Sequence, residues 1–403
     1  MILRRTIDQS PIPNGFHLVT LLLCILFLHG CAVVKEGLLK LRPSAFLEDD
    51  IQRIDFVVEE GVEVIGRLAV IRAEKGDTLP DIARHYSLGI NSVSSANPGV
   101  DVWVPEAGDP VLLPLSFILP DAGKKGIVIN LAAMRLFSYK QDRDHLAVST
   151  YPVGVGTPER PTPMGDMYIR RKKFRPTWYV PASIAQDHRK KGDPLPDKIP
   201  PGPLNPLGAY ALYLNKPSYL IHGTNKPASI GLSTTNGCIR LYPEDIKRLF
   251  DSTPEKTPVR IVNQPFLIGQ RDGVFYMEAH TAPAASGHVE LKRAYAKLQT
   301  IEKDLGHAFD WNKIKKVVSE ARGFPVPISE FPHGGAKGVA EPIKLKHPDK
   351  LYGKPEVPPL RTDAWYVMAA VVRDENEARR LAAMINHQGP QIPARVLSCL
   401  LYT

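Results

Sequence analysis

The chain has 403 residues, enough for several folded units of ordinary size. Apolar residues make up 43% and charged residues 23%, a balance that excludes wholesale disorder and a polytopic membrane protein. The net charge of +9 is uneven: Arg170–Lys191 holds eight Lys or Arg against one Asp, and residues 291–361 hold fourteen basic against eight acidic residues. Such patches attract polyanions, but no zinc finger or other nucleic-acid motif accompanies them, so nucleic acid is not an expected partner.

The first element is an address. Two arginines in the opening MILRR precede Phe16–Leu28, a run of thirteen mostly apolar residues. That is too short for the roughly 20 residues a membrane-spanning helix needs, and it reads as an export signal. Leu28-His29-Gly30-Cys31 then resembles a bacterial lipobox, with His29 bulkier than that position usually holds. The resemblance implies a signal peptide over 1–30 and lipidation of Cys31. It also implies a periplasmic protein anchored to the outer membrane, since Ala32 and not Asp follows the cysteine. Cys24 would leave with the signal, so Cys238 and Cys399 remain, and nothing in their spacing argues for a disulfide.

Residues 32–67 form a lead segment. From Leu68 to Pro114 the pattern is strand, helix, helix, strand: Val70 and Ile71 are strand-like, Asp77 or Thr78 can cap a helix, and Asn91 with Ser92 opens a second. Ala96-Asn97-Pro98 ends that helix and Val111–Pro114 closes the unit. The run GDTLPDIARHY…INSVSSANP resembles a LysM module, which implies a small βααβ unit that binds peptidoglycan glycan strands.

Residues 126–262 alternate β-favouring segments with Pro and Gly turns: Ile127–Leu131, Met134–Tyr139 and His145–Tyr151. Pro176–Pro217 then carries nine of the chain's 38 prolines. Proline fixes φ and removes a donor, so this stretch is expected to be a long, stiffened loop over the sheet, with no central strand in it.

The chemistry-bearing residues follow. His222 ends an apolar, strand-like run and Cys238 stands sixteen residues on, after Asn236-Gly237. A thiol is a good nucleophile only as thiolate, and an imidazole can take its proton. An Asn-Gly turn lets backbone N–H groups face a developing oxyanion. Arg240 would lie on the same side of a strand as Cys238, near enough to hold a substrate carboxylate. No CxxC or His/Cys cluster points to a metal.

His222-Gly223-Thr224 with Thr235-Asn236-Gly237-Cys238-Ile239-Arg240 resembles the signature of the YkuD family of L,D-transpeptidases. Pro152–Gly156, Thr162–Gly165, Pro176–Tyr179 and Gly202–Gly208 extend the likeness, which spans roughly residues 65–265. It implies an α+β, mainly β fold: a β-sandwich catalytic domain over 126–262 with a proline-rich cap, after the LysM-like unit at 68–114. It also implies Cys238 as nucleophile, His222 as base and acid, and the Gly237 and Cys238 N–H groups as oxyanion donors. Arg240 would position substrate, and Gly223, Thr224, Thr235 and Asn236 would border it. Where relatives often hold histidine or serine, Asn236 brings an amide that cannot act as base, so His222 is expected to act alone, oriented by a backbone carbonyl at or near Gly223.

The implied reaction is acyl transfer. The thiolate attacks a peptidoglycan tetrapeptide stem, D-alanine leaves, and an amine resolves the thioester, giving a 3-3 cross-link or attaching an envelope lipoprotein. Neither metal nor organic cofactor is implied. Two alternatives stay open: a non-catalytic wall-binding lipoprotein, and a hydrolase or L,D-carboxypeptidase with water as acceptor. Residues 266–362 are expected to hold helices at Glu290–Leu305 and Asn312–Ala321, then a basic linker at Lys344–Pro359. Residues 363–403 read strand, helix, strand and resemble part of a SPOR repeat.

Overall fold

The computed structural model describes residues 55–142, 145–282, 284–306, 308–329, 341–389 and 393–398. The export segment, the lipobox with Cys31, and Cys399 lie outside the described residues.

The lead segment is not a mere spacer. Its β1 (Asp55–Val58) and β2 (Val64–Gly66) pair with strands far along the chain. The expected strand–helix–helix–strand unit follows as β3 (Ala69–Arg72), α1 (Leu79–His85), α2 (Ile90–Ala96) and β4 (Pro110–Leu113). Thr78 caps α1: its Oγ accepts from the Asp81 N–H at 3.2 Å and donates to the Asp81 carboxylate at 2.7 Å. Asn97 ends α2 and pins it to β4, donating to the Val93 and Leu112 carbonyls while accepting the Leu112 N–H.

After β5 (Ser116–Ile118), the main body begins with β6 (Gly126–Asn130), β7 (Arg135–Asp142), β8 (His145–Pro152) and β9 (Val155–Gly156). Next come β10 (Gly165–Phe174), β11 (Trp178–Tyr179), α3 (Ala182–Lys190) and β12 (Lys198–Ile199). The site strands are β13 (Tyr210–Leu214), β14 (Leu220–His222), β15 (Ser233–Thr235) and β16 (Ile239–Arg240), and α4 (Pro243–Ser252) and β17 (Pro258–Val262) complete the body.

Nine strands form one sheet in the order β1-β8-β7-β6-β17-β10-β13-β14-β16. It is continuous because β10 pairs through residues 165–168 with β17 and through 169–174 with β13, across an irregularity at Ile169/Arg171. Where the sequence suggested two stacked sheets, one sheet supplies both halves of a single core. Ile127, Ile129 and Leu136 from one half share it with Leu212, Ile221 and Ile239 from the other, and Ile246 and Leu249 of α4 join them. All eight side chains are at most 1% exposed, and each such Ile or Leu contributes roughly 1.5–3 kcal/mol by burial.

The proline-rich stretch needs a correction. Eight of its nine prolines precede Gly208, and Pro176–Gly208 does stay out of the main sheet, forming only the β11–β12 pair and α3. The proline-free Tyr210–Leu214, however, is β13, an interior strand. The proline count blurred that boundary.

Beyond β17, β18 (Phe266–Arg271) and β19 (Val274–Ala279) form a hairpin about Asp272-Gly273, both residues at positive φ. With α5 (Ala284–Leu305), α6 (Trp311–Glu320) and β20 (Val326–Pro327) they build a second core around Met277, Leu298 and Ile314. The two helices stand where expected; the hairpin was not foreseen.

The basic linker is not free chain. Its β21 (Ile343–Lys344) pairs in parallel with β3. His347 and Lys354 then converge on buried Asp77, Nε2 to Oδ2 at 2.9 Å and Nζ to Oδ1 at 3.1 Å. In the last segment only the helix forms, α7 (Glu375–Asn386), and His387 at its end meets Asp81 at 3.1 Å. The two flanking segments read as strands, 363–370 and 393–397, are irregular. A strand needs a partner, and these find none among the described residues; Trp365 is fully exposed.

Candidate active site

Parallel pairing of β14 with β16 sets Ile221 opposite Ile239 and His222 opposite Arg240. Side chains alternate along a strand, and residues in register share a face. Ile221 and Ile239 therefore enter the core, while His222 and Arg240 emerge together on the other face, where the Arg240 charge acts on both the His222 ring and the Cys238 thiol. The sixteen-residue spacing is thus explained: the chain leaves β14, turns through a 3-10 turn (Pro227–Ser229) and β15, and returns beside itself.

His222 is 4% exposed, and its Nδ1 lies 2.6 Å from the Gly223 carbonyl oxygen. A carbonyl only accepts, so Nδ1 carries the ring proton and Nε2 is the basic nitrogen. The backbone carbonyl expected from the sequence is therefore present. Burial, with the nearby Arg240 cation second, pushes His222 down to about 3, so the ring is neutral.

Cys238 is a free thiol, half-buried, with Sγ 3.5 Å from the Ser218 carbonyl. Burial pushes the thiol up; the Leu220 N–H and the Arg240 charge pull the other way by favouring thiolate. Ser218 itself has φ 70°, a left-handed conformation uncommon for a residue with a side chain and costly unless its surroundings hold it. Gly237 has φ 98°, and a β-carbon there would stand 2.8 Å from the Tyr219 ring and 3.1 Å from the Pro161 carbonyl oxygen. Only glycine fits.

The remaining residues of the signature hold the loop together. Thr235 Oγ1 donates to the Cys238 carbonyl at 2.7 Å and accepts the Gly237 N–H at 3.2 Å. The Gly237 amide, expected as an oxyanion donor, is thus already engaged in this structure, and the Cys238 N–H is the one left without an acceptor among the described residues. Thr224 is buried, and its hydroxyl accepts the Lys226 N–H at 2.9 Å. The Thr235 hydroxyl is thus engaged in both directions within its own turn, whereas the Thr224 hydroxyl accepts one bond and keeps its proton. Gly223 contributes its carbonyl to His222 and packs at its Cα against Ile246. Exposed Asn236 accepts from Arg160, whose other nitrogen pairs with Asp187 of α3 at 2.5 Å.

Other residues at the site were not singled out from the sequence. Asn205 is fully buried and donates to the carbonyls of Pro176, Ile199 and Pro200 while accepting the Leu207 N–H, so it cross-ties the proline-rich segment. The Leu207 backbone in turn meets the His222 ring. The sequence signal for Asn205 was its place in the Gly202–Gly208 stretch of the family likeness, which named no role for it. Of the basic run, Lys172 is turned inward, donating to the Thr253 carbonyl at 2.7 Å and to that of Phe250, where it complements the C-terminal end of α4. Arg171 lies over the Tyr213 ring at 3.7 Å. No cluster of three or more His, Cys, Asp or Glu that could hold a metal ion occurs among the described residues.

Comparison with known proteins bears on this arrangement. The L,D-transpeptidase catalytic domain family, YkuD, matches residues 124–261. The probable L,D-transpeptidase ErfK/SrfK of Escherichia coli K12 is 35% identical over 279 residues, covering 67% of this chain and 89% of that protein. The probable L,D-transpeptidase YbiS of the same strain is 40% identical over 225 residues, covering 55% and 72%. Among solved structures, Mycobacterium tuberculosis L,D-transpeptidase 1 overlaps at 21% identity and a TM-score of 0.24, covering 40% of this chain and 70% of that one.

Proposed function

This chain belongs to the YkuD family of L,D-transpeptidases and is a peptidoglycan L,D-transpeptidase; on that premise we propose that Cys238 is its nucleophile and His222 its general base. The observation that carries the assignment is the His222 Nδ1 contact with the Gly223 carbonyl, beside an Arg240 cation that acts on both the His222 ring and the Cys238 thiol. It leaves Nε2 unprotonated, as a base requires.

At rest both partners are neutral, the imidazole through burial and the thiol through desolvation. The proton therefore passes from Sγ to Nε2 as sulfur attacks the carbonyl carbon between the third and fourth residues of the stem. The carbonyl oxygen becomes the oxyanion, and the free Cys238 N–H faces it. Gly237 can join only by sharing its amide with Thr235. When the tetrahedral intermediate collapses, the C–N bond breaks and His222 returns the proton to the departing D-alanine amine. A thioester remains, and an amine, from a second stem or from an envelope lipoprotein, attacks it to release the thiol. The Arg240 cation favours thiolate and suits the stem's carboxylates.

The module over 68–114 reads as a LysM-like unit that holds glycan strands, and Pro176–Gly208 as a cap whose Leu207 backbone meets His222. The lipobox reading of Cys31 makes the protein a lipid-anchored resident of the periplasmic face of the outer membrane.

Incubation with a carbapenem or a disaccharide tetrapeptide, followed by mass spectrometry, tests the central point. The expected result is one adduct, on Cys238. Folded protein that gains none would overturn the assignment. Product analysis with and without an added amine separates transfer from hydrolysis.

A further inference from the structure

Arg240 is held at few points. Its Nη1 donates to the Ser229 hydroxyl at 2.9 Å, while its buried Nε has no partner. The Ser229 hydroxyl donates onward to the Lys226 carbonyl at 2.6 Å, so its lone pair is directed at the guanidinium. Ser229 closes the 3-10 turn between His222 and Cys238.

That turn is gripped from two sides. On one, the Gly154 N–H and carbonyl pair with the Arg240 carbonyl and N–H at 2.8 and 2.9 Å, and a β-carbon on Gly154 would stand 2.9 Å from the Ser229 carbonyl oxygen. On the other lies the amino-terminal module. The Ile90 N–H, at the first residue of α2, donates to the Ile230 carbonyl at 3.1 Å. Gly89 and Gly231 meet backbone to backbone. A β-carbon on Gly231, whose φ is 86°, would fall 2.6 Å from the Ile90 nitrogen, and one on Gly89 would fall 3.0 Å from the Gly231 Cα. Three further contacts lock the module in the same orientation: Arg84 with Glu244 at 2.9 Å, Tyr242 Oη to the Leu88 carbonyl at 3.0 Å, and Arg135 to the Ser87 carbonyl at 3.2 Å. A tether that only holds glycan needs none of this contact with the turn bearing Ser229.

We propose that Ser229 is a positioning residue for Arg240, and that the start of α2 in the amino-terminal module holds Ser229 in place, which makes the module a structural part of the catalytic site. The proposal rests on the reading of Cys238 as nucleophile, and the test keeps the two apart.

The full-length chain is compared with Ser229→Ala, Ser229→Thr and Ile90→Pro. The last removes the α2 N–H at the first helical position, where proline is tolerated, and Gly89 before it already has an extended backbone (ψ 150°) that suits a residue preceding proline. Readouts are kcat and KM for transfer on a disaccharide tetrapeptide, the pH dependence of Cys238 alkylation by iodoacetamide, and the melting temperature. Ser229→Ala is expected to lower kcat/KM about 10- to 50-fold and to move the alkylation profile to higher pH, because the cation near sulfur is no longer fixed. Ser229→Thr, which keeps the hydroxyl, restores both to within about threefold. Ile90→Pro repeats the loss and the pH displacement, with a melting temperature lowered by a few degrees because a buried isoleucine is cut back, and the double variant with Ser229→Ala is no worse in kcat/KM than the worse single change. Wild-type kinetics and pH profile in Ser229→Ala would overturn the positioning role. Multiplicative losses in the double variant, or an Ile90→Pro that folds and shows wild-type kinetics and pH profile, would overturn the module's part. Should Ile90→Pro fail to fold, Gly89→Ala replaces it with the same expected outcomes. Full turnover in Cys238→Ala would instead remove the nucleophile assignment on which all of this rests.

Discussion

The imidazole of His222 donates its Nδ1 proton to the carbonyl of Gly223, the residue next to it in the chain, across 2.6 Å. A base oriented by its neighbour's backbone needs no acidic third partner. It also keeps one tautomer whatever residue stands at 236.

The pH behaviour of the thiol follows. His222 is held neutral, with its value pushed down to about 3, so it does not titrate across pH 5–8. Alkylation of Cys238 is therefore expected to climb steadily into the alkaline range with no step near 6.5, the ordinary histidine value. His222→Gln should lower transfer by about 10²- to 10⁴-fold, the usual contribution of a positioned general base. A clear inflection between pH 6 and 7 that vanishes in His222→Gln would contradict the neutral resting pair.

Gly237→Ala should be severe. The added carbon would meet the Tyr219 ring at 2.8 Å in a backbone conformation that disfavours side chains. Relief requires the nucleophile loop to move, at an expected stability cost of about 1–3 kcal/mol. Melting should fall by several degrees, and acylation of Cys238 by at least about a hundredfold. Acylation within threefold of wild type would mean the loop is softer than its packing implies.

Asn236 offers a contrast. Its amide accepts from Arg160, which also grips Asp187 of α3, so it links the nucleophile loop to the proline-rich segment. Asn236→Ala and Arg160→Ala should each slow transfer by less than about tenfold, since exposed polar contacts contribute little, and should leave the pH profile unchanged. A shifted profile in Asn236→Ala would assign the amide a direct part in proton transfer.

Asp245, in the first turn of α4, is buried with Oδ2 unpartnered, and desolvation lifts it to about 8 from an ordinary 3.8. The folded state keeps its proton up to about pH 8, while the unfolded chain has lost it by about pH 4. Stability from this group is thus full in acid and declines as pH rises between those values. Asp245→Asn cannot ionise, so its melting temperature should gain on wild type progressively from pH 4 to pH 8, by a few degrees at the upper end. A difference that is constant with pH would show that the carboxyl is not the cause.

Much of this was legible beforehand. His222 could be read at the end of an apolar, strand-like run, Cys238 just after an Asn-Gly turn, and Arg240 on its side of any strand that followed; the structure sets His222 opposite Arg240. The hairpin at Asp272-Gly273 had a readable signal too, a turn dipeptide between apolar runs. Asn205 and Ser229 could not be read in this way. Their importance comes from carbonyls and a guanidinium brought to them by distant segments, and composition holds no trace of that. The proline stretch misled at Tyr210–Leu214, where five proline-free residues form an interior strand. The irregular segments at 363–370 and 393–397 show the converse: β-favouring residues that find no partner among the described residues do not make a strand there.

The pairing of β21 with β3 bears on how the protein can be handled. Ile343 and Lys344 cover one side of β3, with the Ile343 and Leu345 N–H groups donating to the Leu68 and Val70 carbonyls at 2.9 Å each. A fragment cut after β17 would strip that cover and leave β3 with a bare row of carbonyls and amides, an open template for a neighbour to add to. Shortening the chain toward its catalytic core therefore invites self-association through the edge of β3. Solubility, more than activity, would be the first property lost.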